Sequence, residues 1–225
     1  MAPVVIESPS LGDAWLEVSR RILTDGAEGV YDGLPMKELA LVTVAVAEPD
    51  PHDALIGELG DPEWSAWMHA NFTEHGAVAE LGGAASYGVR LHDYAASGRD
   101  QVAWVVERLR ADPGSRSATI TTFQPLTDTA YIPCVSMLDF WRPAEALELV
   151  VYAHSLDFGK KAYGNLVELA RLQHHVAGEL DAPVGSLVVH AKSAHVYADE
   201  WELMRRLTST DAVRVQKQRE SSVAT

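Results

Sequence analysis

The chain is poor in the features that mark a secreted, membrane-spanning or nucleic-acid-binding protein. Cys134 is the single cysteine among 225 residues. That excludes an internal disulfide and any zinc site built from several thiolates. No apolar run approaches the roughly 20 residues that cross a bilayer. The N-terminus, Met1 to Glu7, lacks the basic region and apolar stretch of a secretory signal, so the cytoplasm is the expected location. Basic residues are scarce too: 18 Lys and Arg against 32 Asp and Glu leave a formal charge of −14. Displacing counterions from a phosphate polymer needs a basic face, so neither nucleic acid nor a membrane is an expected partner, although a small anion could meet a local cation. Metal is not expected either, because adjacent His174 and His175 diverge on a helix and lack a third ligand.

What is present suits one globular core. Hydrophobic residues make up 47% and charged residues 22%, and no repeat or low-complexity linker divides the chain. The apolar spacing of Trp15, Leu16, Ile22 and Leu23 predicts a helix over 11–25, stopped by Gly26. A β-branched run predicts a buried strand at 39–47. A helical hairpin is expected at 53–59 and 62–74, with Pro62 in its first turn, and a helix at 99–111 broken by Asp112-Pro113-Gly114. Strands follow at 117–123, 133–141, 146–155 and 184–191, with a helix at 161–178 ended by Gly178, a last helix near 198–208 and a loose polar tail from 216. The order predicts a single α+β domain over 1–225, its strands antiparallel or mixed and packed on helices.

A lone thiol in such a protein is either a small buried hydrophobe or a reactive centre, and composition does not separate the two. The motifs around it do. Asp112-Pro-Gly-Ser-Arg116, Pro133-Cys134, His154-Ser155-Leu-Asp157, Asn165 and His195-Val-Tyr197 follow one another in the order and spacing of the thymidylate synthase family. Tyr87-Gly88 and Asp100-Gln101 resemble two further pieces of its pattern. The likeness is good over 87–200 and weak over 1–86.

The resemblance implies a thymidylate-synthase-like fold that dimerises sheet to sheet, and a chemistry. A thiolate at Cys134 would add to C6 of a pyrimidine, making C5 a carbon nucleophile toward the methylene of 5,10-methylenetetrahydrofolate. Asn165 would read the ring; an amide offers a donor and an acceptor together, which suits a uracil-like edge. Asp157 would lie beside the ring, Ser155 and His154 would contact substrate, and His195 with Tyr197 would hold a sugar hydroxyl, two residues apart on one strand face. Tyr87 joins the catalytic set. Asp53, in His52-Asp53-Ala-Leu-Ile-Gly-Glu58-Leu-Gly60-Asp61, falls where the family has its proton-moving glutamate, with Glu58 as the alternative. Arg116 would be lent across the dimer to a substrate phosphate.

The departures are as informative. Ser117 and His154 stand where the family has arginines, and the early arginine-bearing loop is replaced by acidic Gly29-Val-Tyr-Asp-Gly33. Losing planar forks that grip phosphate weakens the case for a monophosphate and favours a nucleoside, a base or a ring with another handle. Val135 replaces a histidine after the cysteine, the stretch 71–77 carries no shielding tryptophan, and the chain stops short of the family's C-terminal flap. A wetter pocket favours water over hydride at the last step, hence hydroxymethylation over methylation. Two other readings stand beside this one: a degenerate homologue that only binds a ligand or partner, and an enzyme of specialised metabolism acting on a non-pyrimidine ring.

Overall fold

The computed structural model describes residues 3–129 and 131–209; the expected loose tail lies outside them. The elements run β1 (Val4–Ser8), α1 (Leu11–Asp25), β2 (Ala27–Tyr31), β3 (Leu34–Val46), α2 (Ala54–Leu59), α3 (Pro62–Thr73), the two-residue strands β4 (Ala77–Val78) and β5 (Ala84–Ala85), α4 (Tyr87–His92), α5 (Gln101–Ala111), β6 (Ala118–Thr121), β7 (Val135–Trp141), β8 (Leu147–Ala153), β9 (Leu156–Asp157), α6 (Ala162–Glu179), β10 (Val184–Tyr197) and α7 (Trp201–Leu207).

The helices begin where the sequence offers caps. Ser10 accepts from Asp13 N at α1, Asp61 precedes Pro62 at α3, and Asp100 caps α5, each satisfying backbone donors that a first turn leaves free. Helix α1 buries Leu11, Ala14, Trp15, Val18 and Ile22 on one face. Helix α6 outlasts the expected stop at Gly178. Asp181 instead takes the left-handed turn at φ +49, and Ala182 N closes back on Ala177 O at 3.0 Å, a Schellman ending that needs no glycine.

One mixed sheet organises the domain in the order β1-β3-β10-β8-β7-β6, with β2 on β3 and β9 on β10. The β1–β3 and β8–β10 pairs are parallel; β3–β10, β7–β8 and β6–β7 are antiparallel. Val42, Val44, Leu149, Val151, Leu187 and Val189 are buried beneath α1 and α6. On the opposite face Met137, Trp141 and Tyr152 are exposed. Two strands run longer than the apolar pattern suggested: β3 begins at Leu34 and β10 reaches Tyr197, because the two pair from Leu187↔Val46 to Tyr197↔Met36.

The sheet is broken along a line. Pairing of β10 with β3 keeps one register throughout but skips Lys192 and Leu41, where Leu41 is held at φ +57, a left-handed conformation that costs about 1–2 kcal/mol outside glycine. His154 and Ser155 drop out of pairing between β8 and β9. Across from them the β7 register shifts at Ser136, a bulge that bends its strand. Cys134, Ser155, Asp157 and His195 all lie at or beyond this break.

Trp15 ties α1 to the segment past the break. Its Nε1 donates to Phe158 O at 2.9 Å, and its ring lies 4.7 Å from that of Tyr163. Trp15→Phe keeps the aromatic body but leaves a buried carbonyl without its donor. The expected loss is about 1–2 kcal/mol, read as a lower urea midpoint; an unchanged midpoint would show that the bond contributes nothing.

Candidate active site

Cys134 stands at the end of the long loop before β7, and charge-assisted bonds fix that loop. Arg90 on α4 sends two parallel bonds to the Asp128 carboxylate at 2.7 and 2.9 Å and a third to Thr122 O at 2.7 Å. Both partners are almost wholly buried, with side-chain exposures of 3% and 8%, so each satisfies a charge the other would leave stranded. Two bonds then hold the thiol's own backbone neighbourhood. Val135 N donates to the Tyr87 hydroxyl at 3.0 Å, and His154 N donates to Cys134 O at 3.0 Å. Tyr87 is itself clamped against Phe72 at 4.5 Å.

Burial pushes the Cys134 thiol above its ordinary range, while the Lys161 ammonium pulls it back; Asp157 pushes it further up, and the Tyr131 hydroxyl bonded to the sulfur opposes it. Asp157 pairs with His195 across β9 and β10. Its Oδ1 accepts from Gly159 N at 3.0 Å and Lys160 N at 3.2 Å. Burial nevertheless raises its carboxyl above the usual range. His195 is buried to the point where its imidazole is held down to about 4, with Glu38 opposing that effect, so it is neutral at pH 7. Its ring stands edge-on to Tyr197 at 4.9 Å, and Ser155 Oγ lies 3.5 Å from its Nδ1.

Asn165, in the first turn of α6, donates from both its backbone N and Nδ2 to Lys161 O at 3.0 Å. Its Oδ1 is buried with no donor among the described residues. Burial, followed by nearby Lys192, holds the His154 imidazole below its ordinary value, with a bond to the Pro133 backbone opposing them. Buried acceptors without donors are rare enough to call for an explanation, and a ligand's N–H is one.

The structure thus joins Cys134, Tyr87, His154, Ser155, Asp157, His195 and Tyr197 through direct bonds, strand pairing and shared electrostatics, and Asn165 reaches them through the Lys161 backbone, which is bonded to both it and Asp157. Two expected residues stand apart. Arg116 is exposed just before β6. Asp53 caps α2 through Ile56 N at 3.0 Å and receives Gly12 N at 2.9 Å; it makes no hydrogen bond to any residue of the cluster. Conversely, sequence reading missed Tyr131, Lys161, Trp64 and Trp67. Lys161 could have been found from its place four residues before Asn165, one helical turn away; the two tryptophans, about a hundred residues earlier, carried no such signal. Lys161 Nζ sits 5.3 and 5.2 Å from their ring centroids. On the open sheet face a hollow of about 560 Å³ is lined by Thr119, Thr121, Ser136, Tyr152, His154 and Lys192, centred on the break.

A half-buried thiol before a bulged strand, a buried amide oxygen without a donor among the described residues and a neutral histidine edge-on to a tyrosine thus share one mixed sheet and the helix that follows it. The sequence model of the thymidylate synthase family matches residues 53–220, and the chain belongs to that family. Membership carries folate-dependent one-carbon transfer to C5 of a pyrimidine. The chain is similar to the "Putative thymidylate synthase" of Methanosarcina acetivorans, 27% identical over 210 residues and covering 90% of this chain and 94% of that one. It is 31% identical over 208 residues to the protein so named from Methanothermobacter thermautotrophicus, covering 85% and 92%. It is also 25% identical over 188 residues to the "Bifunctional dihydrofolate reductase-thymidylate synthase" of Paramecium tetraurelia, covering 83% of this chain and 37% of that one.

The state of His195 sets a pH dependence. Its folded value near 4 lies below the unfolded value of about 6.5. The stability it confers by being buried neutral is therefore complete above pH 6.5 and lost progressively as pH falls toward 4, by on the order of 2–3 kcal/mol. His195→Gln is expected to flatten unfolding free energy against pH across that window in urea titrations; parallel curves for the two proteins would contradict this.

Proposed function

We propose that the chain forms a covalent bond between Cys134 Sγ and C6 of a uracil-like ring and delivers a hydroxymethyl group to C5. The observation that carries the reading is the buried Asn165 Oδ1 without a donor in the same cluster as the single thiol. Oδ1 suits a ring N–H, and the second hydrogen of Nδ2 suits the adjacent carbonyl. Attack by sulfur pushes the ring's C5–C6 electron pair toward O4, where that N–H is positioned to stabilise it. Bound 5,10-methylenetetrahydrofolate supplies the one-carbon unit at the methylene level. The Trp64 and Trp67 indoles, partly buried beside Lys161, offer flat faces that fit a pterin.

Proton transfers fall to three groups. The Tyr87 hydroxyl accepts from Val135 N and donates to no described residue, so it can hold a water near the ring. Asp157, its carboxyl raised above the usual range by burial, is the second group assigned to pass a proton. Asp53, at the family's glutamate position, keeps a spare lone pair on each oxygen beyond its two backbone bonds, enough to hold a bridging water. His195 and Tyr197 are assigned to a sugar hydroxyl, and Ser155 and His154 to the substrate's remaining polar groups. Hydroxymethylation is favoured because residues 71–77 bring no indole and the Lys161 ammonium keeps its surroundings polar, which admits water to the last step.

We further assign the open sheet face, with exposed Met137, Trp141 and Tyr152, to a two-fold homodimer contact, since a self-complementary patch of that kind pairs with its own copy. Arg116 would then reach the partner's substrate.

Incubation with methylenetetrahydrofolate and a panel of uracil-type bases, nucleosides and nucleotides in heavy water, read by mass spectrometry beside Cys134→Ala, tests the reaction. The expected product is a hydroxymethylated ring that the variant does not form. A methylated product would correct the last step, and no change across the panel would favour the ligand-binding or non-pyrimidine alternatives. For the dimer, Tyr152→Glu is expected to sediment as a monomer where the wild type does not; equal sedimentation would remove this face as the contact.

A further inference from the structure

Beyond keeping its surroundings polar, Lys161 has a position that no role assigned above uses. Its backbone is fixed between two site residues: its N donates to Asp157 O at 3.0 Å, and its O accepts from both Asn165 nitrogens. Its ammonium rests on the faces of Trp64 and Trp67, whose rings meet edge to face at 5.7 Å. Neighbouring Lys160 is neutralised by Asp199 at 2.5 Å and Glu200 at 3.4 Å. Lys161, by contrast, has no carboxylate within ion-pair distance and no side-chain hydrogen bond among the described residues. That difference matters electrically. Indole faces stabilise a cation without cancelling its charge, whereas a carboxylate would quench its field at any third group.

The groups coupled electrostatically to Cys134 are Lys161, Asp157, Tyr131, Tyr87 and Tyr197. Asp157 works against a thiolate, and the tyrosines are uncharged. Of the two imidazoles in the cluster, His195 is neutral at pH 7 and His154 is shifted the same way. The leading favourable charge on the sulfur is that of Lys161.

We propose that Lys161, seated on the two indoles, is the counter-cation that lets Cys134 react as a thiolate. The proposal rests on the reading of Cys134 as nucleophile. In the step it serves, the thiol proton leaves to solvent and the sulfur keeps the electron pair. Lys161 stays protonated throughout. The S–C6 bond then forms as the ring's π pair moves toward O4. Lys161 touches the reacting sulfur's field rather than the ring, so it is a positioning and activating residue.

The test is the pH profile of Cys134 alkylation by iodoacetamide in wild type, Lys161→Met, Lys161→Gln and Lys161→Arg. Both backbone bonds survive these changes, and circular dichroism with thermal melting confirms the fold of each. The Met and Gln variants are expected to move the alkylation midpoint to higher pH and to slow the reaction at pH 7, about tenfold for every pH unit the midpoint rises; Lys161→Arg is expected to keep most of the wild-type rate. A second probe uses charge directly. The ratio of iodoacetate to iodoacetamide rates is expected to fall in the neutral variants, because the anionic reagent loses its attraction. Superimposable profiles and equal ratios, with Cys134→Ala still abolishing product, would overturn the Lys161 assignment alone. Product formation by Cys134→Ala would overturn the nucleophile reading and the Lys161 proposal with it.

Discussion

The break through Leu41, Lys192, His154 and Ser136 sets where this sheet presents its functional groups. Four neighbouring strands lose regular pairing at one level. On one side, uninterrupted pairing of β3 with β10 and of β7 with β8 buries a continuous apolar face under α1 and α6. On the other, Cys134 and Ser155 leave ladder geometry, and Asp157 and His195 pair in the short stretch that resumes past the break. The left-handed Leu41 is the conformational cost of that arrangement, and constant register on both sides of it means that the break bends the sheet without sliding it.

Electrostatics then follows from burial. Taking the cluster out of water raises Cys134 and Asp157 and lowers His195, all in the direction of neutrality. Such a site binds an uncharged ring readily but cannot ionise a thiol unaided. The charges nearby are distributed accordingly. Arg90 and Lys160 are matched by Asp128, Asp199 and Glu200, so the first fastens the cysteine loop and the second helps hold the strand end to the residues before α7. Lys161 is left with aromatic partners.

Much of this could be read from the chain. Apolar spacing placed α1 residue for residue, because a capped amphipathic helix writes its limits as well as its face. Motif order singled out Cys134, Asp157, Asn165, His195 and Tyr197 as candidates, and the chain's family bears out the resemblance. What escaped has physical reasons. Strand β2 is exposed along its whole length, so no alternation betrays it, and β1 depends on a parallel partner some forty residues away. Gly178 looked like a helix stop, but α6 runs on to Glu179 and Asp181 beyond it takes the conformation a glycine would take. Asp53 stands at the family's glutamate position; its bonds to Gly12 and Ile56 add a structural task that only the fold reveals. Lys161, Trp64 and Trp67 meet across about a hundred residues, a contact that no local pattern encodes.

The central claim is a covalent bond from the single thiol to C6 of a pyrimidine. A uracil nucleoside carrying fluorine at C5 tests it most directly, because fluorine cannot leave as the C5 proton does and the adduct accumulates. Intact-protein mass spectrometry of the enzyme with this nucleoside and methylenetetrahydrofolate is expected to show a mass gain located on the peptide containing Cys134 and absent from Cys134→Ala. Turnover of the unfluorinated ring without any such gain, or a gain that survives loss of the cysteine, would contradict the account.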